Sequence, residues 1–358
     1  MLWGLADKAA ANTLQLGVVA EGSRAERLRQ NGCTINGQVY HPQVWTPQQA
    51  HGVDLLIVAL KYGALPGALD SIRTIVSERT VVMSLMNGVD SEELIAAQVG
   101  AAHVLPALIK VASHRTEDGV RFDPETTIGI IYGELTAPFD SDRVQAVRAL
   151  FADTGIHFRV TEHIREEIWS KFRLNVCNNL PQAILGAGVG CYSDSAHIKA
   201  ISDGLRRELE AIAAAKGIDL SKAAAASTHG STVPPTARYS TLQDLDAGRH
   251  TEIDMFSGAL MRMGRELGIP TPIMREFSYV ITDAQGIHAR PAGQLVKLAA
   301  AYPCKVTIAK DGRSVDAKRI MGVMSLGAKQ GQEVILQADG EQEDEAIAAL
   351  SAFMNENL

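Results

Sequence analysis

Residues 54–60 read DLLIVAL, one aspartate followed by six apolar residues. So short and continuous an apolar run predicts a strand buried on both faces rather than one with a face in water. Outward from it, LQLGVVA (14–20), TVVMSLMNG (80–88) and HVLPALIKV (103–111) repeat the pattern, separated by polar, helix-compatible stretches. In SRAERLRQNG (23–32), Ser23 is placed to cap a helix that stops at Gly32. The rhythm predicts an α/β domain with a parallel sheet.

From about residue 161 the period changes. IREEIWSKFRLNVCNNLPQAIL (164–185), AHIKAISDGLRRELEAIAAAKG (196–217) and TLQDLDAGRHTEIDMFSGALMRMGRELG (241–268) carry apolar residues three and four apart, which predicts long helices packed on one another. THGSTVPPTARYS (228–240) reads as a loop between them. After GIPTP (268–272) strand-like runs return in EFSYVITD, CKVTIAKDG and EVILQADG. They alternate with helix-compatible PAGQLVKLAAAY, KRIMGVMSL and DEAIAALSAFMNEN. Two helices over a small antiparallel sheet account for that alternation.

The whole chain has 358 residues, more than one core usually needs. Its 34 Lys plus Arg against 41 Asp plus Glu give a net charge of -7, so nothing in the charge balance points to nucleic acid or an anionic membrane. The N-terminal residues make a poor signal peptide, and no run is apolar enough to span a membrane. Four cysteines, Cys33, Cys177, Cys191 and Cys304, form no CxxC pair and read as packed apolar residues of a cytoplasmic protein rather than metal ligands.

Within WSKFRLNVCNN (169–179), Lys171, Asn175 and Asn179 recur every four residues along one helical face. The stripe is either a solvated surface or the polar wall of a cleft. Glu252, on a later helix after Arg249 and His250, could hold a lysine ammonium in place, or could be an ordinary surface ion-pair residue. A lysine that donates a proton suits carbonyl reduction, where hydride addition leaves negative charge on oxygen. Lys61, in LKYG (60–63), and Asn87, in the Asn87-Gly88 pair, follow strands at the edge where open α/β sheets bind ligands, and each could equally be a turn residue.

Taken in order, Lys61, Asn87-Gly88, the string from Trp169 to Asn179 and that from Ser240 through Thr251-Glu252 to Gly258 resemble the ketopantoate reductases, also called 2-dehydropantoate 2-reductases, over roughly residues 1–273. The resemblance implies a Rossmann-like domain over 1–158 that binds NADPH and a helical domain over 159–273 that closes over ketopantoate. It implies Lys171 as proton donor and Glu252 as its partner in binding and catalysis. Asn175, Asn179, Ser240 and Lys61 would be substrate contacts and Asn87 would lie near the nicotinamide. Family members open with a strand and a G-x-G-x-x-G turn, and here the match starts after that turn, at about Leu2-Trp3-Gly4. The expected sheet is therefore a truncated one, from a shortened gene model or a degenerated domain. GAGVG (186–190) follows a helix and reads as a helix end, not as that turn. Ser23 and Arg24 stand where the family meets the 2′-phosphate, with Glu21 beside them.

DAQGIHARPAG (283–293) places His288 after a strand and at a helix start, with Pro291 tolerated in the first turn. A histidine ring beside free amides can accept a phosphoryl group, and Arg290 can pair with its oxygens. A lone histidine there would otherwise be a cap or a solvent contact. Residues 274–358 resemble HPr, the phosphocarrier of the sugar phosphotransferase system, which implies an open-faced β-sandwich, phosphorylation of His288 and an active-site role for Arg290. It also implies enzyme I and enzyme II A proteins as partners. Arg319 occupies the position of the regulatory serine, so phosphorylation there is not expected, and Ser325 matches a different family serine. Ile320, Met321, Val323 and Met324 form an apolar patch that either covers the sheet or docks those partners. The sequence thus presents a reductase-like module fused to a phosphocarrier, or alternatively a phosphocarrier whose upstream region is an inactive structural or regulatory remnant.

Overall fold

The computed structural model describes residues 1–358 apart from 117, 225–233, 250, 272–275, 282, 284 and 311–312. The chain opens with α1 (Leu2–Ala10), β1 (Gly17–Val19) and α2 (Gly22–Asn31). Ser23 does not cap α2. The helix begins at Gly22, whose φ of +55° turns the chain in one residue earlier, and Glu21 holds the cap position without a side-chain bond. At the other end Gly32, at φ +65°, stops the helix as expected.

There follow β2 (Cys33–Ile35), β3 (Gln38–Tyr40), β4 (Gln43–Trp45), β5 (Leu55–Val58), α3 (Leu65–Ile75), β6 (Val81–Ser84), α4 (Ser91–Val99), β7 (Ala107–Lys110), β8 (Ser113–Thr116), β9 (Gly119–Phe122), β10 (Gly129–Tyr132), α5 (Asp142–Phe151) and β11 (Phe158–Val160). The predicted strands form, but the wholly parallel sheet does not. β1 pairs with β4 and β5 with β6, each in parallel, and a bridge from Val82 to Val104 leads toward β7. β7 then pairs antiparallel with β10, which pairs parallel with β11. The reason is the connection: β8 and β9 form a hairpin with no crossover helix, so the chain returns in the opposite direction. That hairpin joins β2 and β3 in a peripheral sheet of order β3-β2-β9-β8.

Helices cover both faces. On one side Leu5 of α1 and Val144, Val147 and Phe151 of α5 pack on Met83, Ile130 and Tyr132. On the other, Leu65 and Ile72 of α3 and Ile95 of α4 pack on Val58 and Val82. β10 is buried along its whole length, whereas Leu55, Leu56 and Ile57 of β5 are half-buried. Among the described residues, β1 and β5 each hydrogen-bond a strand on one side only, and both border the core that contains Leu16 and Leu55.

The second part contains α6 (Ile164–Leu174), α7 (Leu180–Leu185), α8 (Cys191–Asp194), α9 (Ala196–Ala215), α10 (Ser240–Asp246) and α11 (Ala259–Leu267). Two of the three expected long helices are interrupted. A π turn over Asn175–Asn179 separates α6 from α7, and a second over Asp254–Gly258 precedes α11. Between α10 and that second turn, Gly248 at φ +61° lets the Arg249 amide bond back to the Asp244 carbonyl, closing off the helix. The two π turns touch, and Trp169, Phe172 and Val176 meet Met255, Phe256 and Leu260 in one core. Gly186, in αL, ends α7 as expected of GAGVG. Of the loop expected at 228–240, residues 228–233 lie outside the described ones, as does His250.

The third part holds β12 (Glu276–Val280), α12 (Ala289–Ala300), β13 (Lys305–Lys310), β14 (Arg313–Asp316), α13 (Ile320–Ser325), β15 (Glu333–Asp339) and α14 (Glu343–Asn357). Its antiparallel sheet has the order β12-β15-β13-β14. Val306, Ile308, Val334 and Leu336 of the sheet pack against Leu295 and Ala299 of α12, Val323 of α13 and Leu350 and Met354 of α14. Val323 is therefore core, a correction to the expected apolar patch; Ile320, Met321 and Met324 are exposed. Cys177, Cys191 and Cys304 are buried, and Cys33 is half-buried. No helix among the described residues is long and apolar enough to cross a membrane.

Candidate active sites

The first site lies where the C-terminal ends of β5 and β6 meet the second π turn. Glu252, just ahead of that turn rather than within a helix, gathers three groups from the sheet side. Its Oε1 accepts from the Tyr62 amide at 3.1 Å, and its Oε2 receives Lys61 Nζ at 3.5 Å and Asn87 Nδ2 at 3.4 Å. Lys61 also bonds Asp244 Oδ2 at 2.8 Å, and Asp244 Oδ1 accepts from Arg249 Nε at 2.8 Å. The two carboxylates are nearly buried while Lys61 is largely exposed, so the lysine reaches across from the sheet to anions fixed on the helical side.

Lys171 stands apart from these bonds. Among the described residues its side chain makes no hydrogen bond or ion pair; Glu252 acts on it only through its charge. Glu252, expected as the partner of Lys171 in binding and catalysis, makes its direct ion pair with Lys61. Burial, followed by the charge of Lys110, pulls Lys171 down to about 8, while Glu252 and Glu92 oppose that fall. A free ammonium poised near neutrality can give up its proton readily.

Asn179 donates through Nδ2 to Ser240 Oγ at 3.3 Å, so two of the expected substrate contacts sit together. Asn175 is half-buried and opens the π turn. Lys171, Asn175 and Asn179 remain in one segment, but its last five residues are wound as a π turn, a form frequent at functional sites. Ser23 and Arg24 are exposed in the first turn of α2, beyond β1.

Spacing gave no sign of several other participants. Asp244 lies 183 positions from Lys61. Tyr62 donates its hydroxyl to Asp90 Oδ2 at 2.6 Å, and Arg262 of α11 reaches the same oxygen at 3.1 Å, joining the two domains again. Gly88, at φ +95°, makes that closeness possible: a Cβ there would stand 2.8 Å from Met255 Cγ. Gly88→Ala is expected to lower unfolding free energy by about 1–3 kcal/mol, readable as a fall in the urea midpoint, because packed backbone and side chain must part.

The second site is on α12. His288 is the N-cap residue, half-buried, with φ −88° and ψ 179°, and its ring makes no capping bond. The Ala292 amide bonds the His288 carbonyl, and Pro291 lies buried in the first turn where its missing N–H has no cost. Arg290, two residues on, is exposed. The ring therefore lies beside the positive end of a helix of 12 residues. No cluster of His, Cys, Asp and Glu suited to a metal occurs among the described residues.

A dinucleotide can be compared with the first site end by end. The side-chain amide of Asn87 has the chemistry to meet a carboxamide, and the exposed Ser23 and Arg24 at the start of α2 have the chemistry to meet a phosphate. Between β1 and β5 the described residues supply no glycine turn for a pyrophosphate.

Fold and site together define a two-domain, Rossmann-type oxidoreductase architecture followed by a small phosphocarrier-type α+β domain. The descriptions "Ketopantoate reductase PanE/ApbA" and "Ketopantoate reductase PanE/ApbA C terminal" match residues 3–130 and 163–285, and "PTS HPr component phosphorylation site" matches residues 275–356. The chain is 28% identical over 275 residues to a 2-dehydropantoate 2-reductase of Halobacterium salinarum, covering 72% of this chain and 87% of that protein. It is 42% identical over 81 residues to the phosphocarrier protein HPr of Mycoplasma capricolum subsp. capricolum, covering 23% of this chain and 91% of that protein. In fold it is similar to a PanE/ApbA family ketopantoate reductase from Ralstonia eutropha, with TM-score 0.59, 23% identity and coverage of 72% and 87% of the two chains. It is also similar to a D-mandelate dehydrogenase solved with NADH and anilino(oxo)acetate, with TM-score 0.63, 17% identity and coverage of 76% and 92%. The chain belongs to the ketopantoate reductase family in its first two parts and to the HPr family in its third, as one fusion.

Proposed function

We propose that residues 1–158 and 159–273 together reduce ketopantoate to pantoate with NADPH, and that residues 274–358 relay phosphoryl groups between proteins of the sugar phosphotransferase system, both in the cytoplasm. The observation that carries the first half is the ammonium of Lys171, unpaired among the described residues yet within reach of the charge of Glu252, the carboxylate that gathers Lys61 and Asn87. A reduced nicotinamide, when bound, would supply the hydride. Lys171 gives its proton to the ketone oxygen as negative charge gathers there, and recovers one from water afterwards. Asn175, Asn179 and Ser240 hold the keto acid, and Lys61, steadied by Asp244 and Glu252, faces its carboxylate. Asn87 would hold the nicotinamide end of that cofactor, and Ser23 with Arg24 its 2′-phosphate.

The second half rests on His288 at the N-terminus of α12. In this reading the ring nitrogen nearest the backbone takes phosphoryl from enzyme I, Arg290 pairs with its oxygens, and enzyme II A receives it. The domain is an open-faced β-sandwich whose exposed Ile320, Met321 and Met324 form the docking face. Met321→Asp is expected to slow phosphoryl transfer from enzyme I about tenfold, measured as the initial rate of protein labelling, by placing a charge in an apolar contact.

One experiment tests both halves. Purified protein is incubated with enzyme I and phosphoenolpyruvate, and in parallel with NADPH and ketopantoate. Acid-labile phosphate on the protein and ketopantoate-dependent loss of NADPH absorbance are the expected results. A second reading, a phosphocarrier with an inactive reductase remnant, is favoured by the edges of β1 and β5 that pair with no strand among the described residues. Labelling at His288 with no loss of NADPH absorbance would select it.

A further inference from the structure

One turn before Lys171 on α6, Glu167 centres an ion cluster. Its side chain is 1% exposed. Its Oε1 accepts from Arg159 at 2.6 Å and from the Ala224 amide at 3.0 Å, and its Oε2 receives Lys110 Nζ at 3.3 Å. Lys110 ends β7, which packs against α6. The ammonium of Lys110 is thereby held against α6 one turn before Lys171, and a cation held near a lysine disfavours the charged form of that lysine.

We propose that Lys110 is a positioning residue for proton donation: anchored on Glu167, it holds a fixed positive charge against α6 one turn before the donor. The inference rests on the reading of Lys171 as the donor. Three charged groups from other elements act on Lys171: Lys110 from β7, Glu252 ahead of the second π turn, and Glu92 from the first turn of α4. The two carboxylates favour its ammonium and Lys110 opposes it, in the same direction as burial. Glu92 is itself pushed up to about 7 by burial, so its hold on the Lys171 proton weakens as pH falls and Lys110 is the constant partner. A second cation is how a lysine is made acidic without losing its reach toward a substrate.

The test uses the full chain and needs no cofactor or turnover. Lysines are labelled with acetic anhydride over a pH series, and the extent at Lys171 is read by peptide mass spectrometry, which gives its titration midpoint. The wild-type midpoint is expected near 8. Lys110→Gln should move it upward by about one pH unit, and Lys110→Arg, which keeps the charge, should leave it in place. Lys110→Met serves as a second neutral variant should the glutamine not fold. A midpoint unmoved in either folded neutral variant overturns the proposal. Failure of the donor reading looks different: the midpoint still shifts, while Lys171→Ala leaves keto acid reduction unchanged.

Discussion

Replacing His288 by alanine is expected to remove all acid-labile phosphate acquired from enzyme I and phosphoenolpyruvate. The ring nitrogen is the bond-forming atom, and no neighbouring residue type in the first turn of α12, Ala289-Arg290-Pro291, can take its place. The loss should not come from unfolding. His288 caps α12 through its backbone and makes no side-chain capping bond, so alanine leaves the Ala292 to His288 main-chain bond standing. Unchanged thermal unfolding together with absent labelling is the outcome that assigns the chemistry to the ring. Residual acid-labile phosphate in the variant, located at another histidine, would overturn the assignment.

Lys171→Ala is expected to lower kcat/KM for ketopantoate by about 10²–10⁴, the usual effect of removing a general acid. Its pH dependence gives the same group a second signature. The donor must be protonated, so activity is present below the Lys171 midpoint and lost as pH rises through about 8. Activity that instead rises through that range would argue for a base. The binding of ketopantoate should change less than turnover, since Lys61, Asn179 and Ser240 remain in place. Equal loss of binding and turnover would make Lys171 a substrate contact rather than the acid.

Much of the fold was legible because buried strands and packed helices have different periods. The apolar runs at 54–60, 80–88 and 103–111 all contain strands, and the apolar spacing of 196–217 becomes α9. Strand direction was not legible. β7 carries the same apolar run as β5 and β6, yet it meets β10 antiparallel, because direction follows from the hairpin between them rather than from the residues within them. The π turns were hidden for a related reason. Polar residues four apart suit an α-helix and a π turn alike, and what separates them is packing of Val176 and Cys177 against the opposing turn.

By itself the sequence determined the order of the family regions and the chemistry open to each candidate group, because residue type sets what a lysine, a glutamate or a histidine can do. The position of His288 at a helix start was also local, fixed by Pro291 and the apolar spacing that follows it. Which charges meet was decided only by the tertiary structure. Lys61 lies 183 positions from Asp244 and 191 from Glu252, while Lys110 and Glu167 come from a strand and a helix 57 positions apart. Electrostatic interaction depends on distance and burial, not on separation along the chain. Thus Glu252 was recognisable as a candidate carboxylate, and folding gave it Lys61, Tyr62 and Asn87 while, among the described residues, leaving the Lys171 side chain without a hydrogen bond.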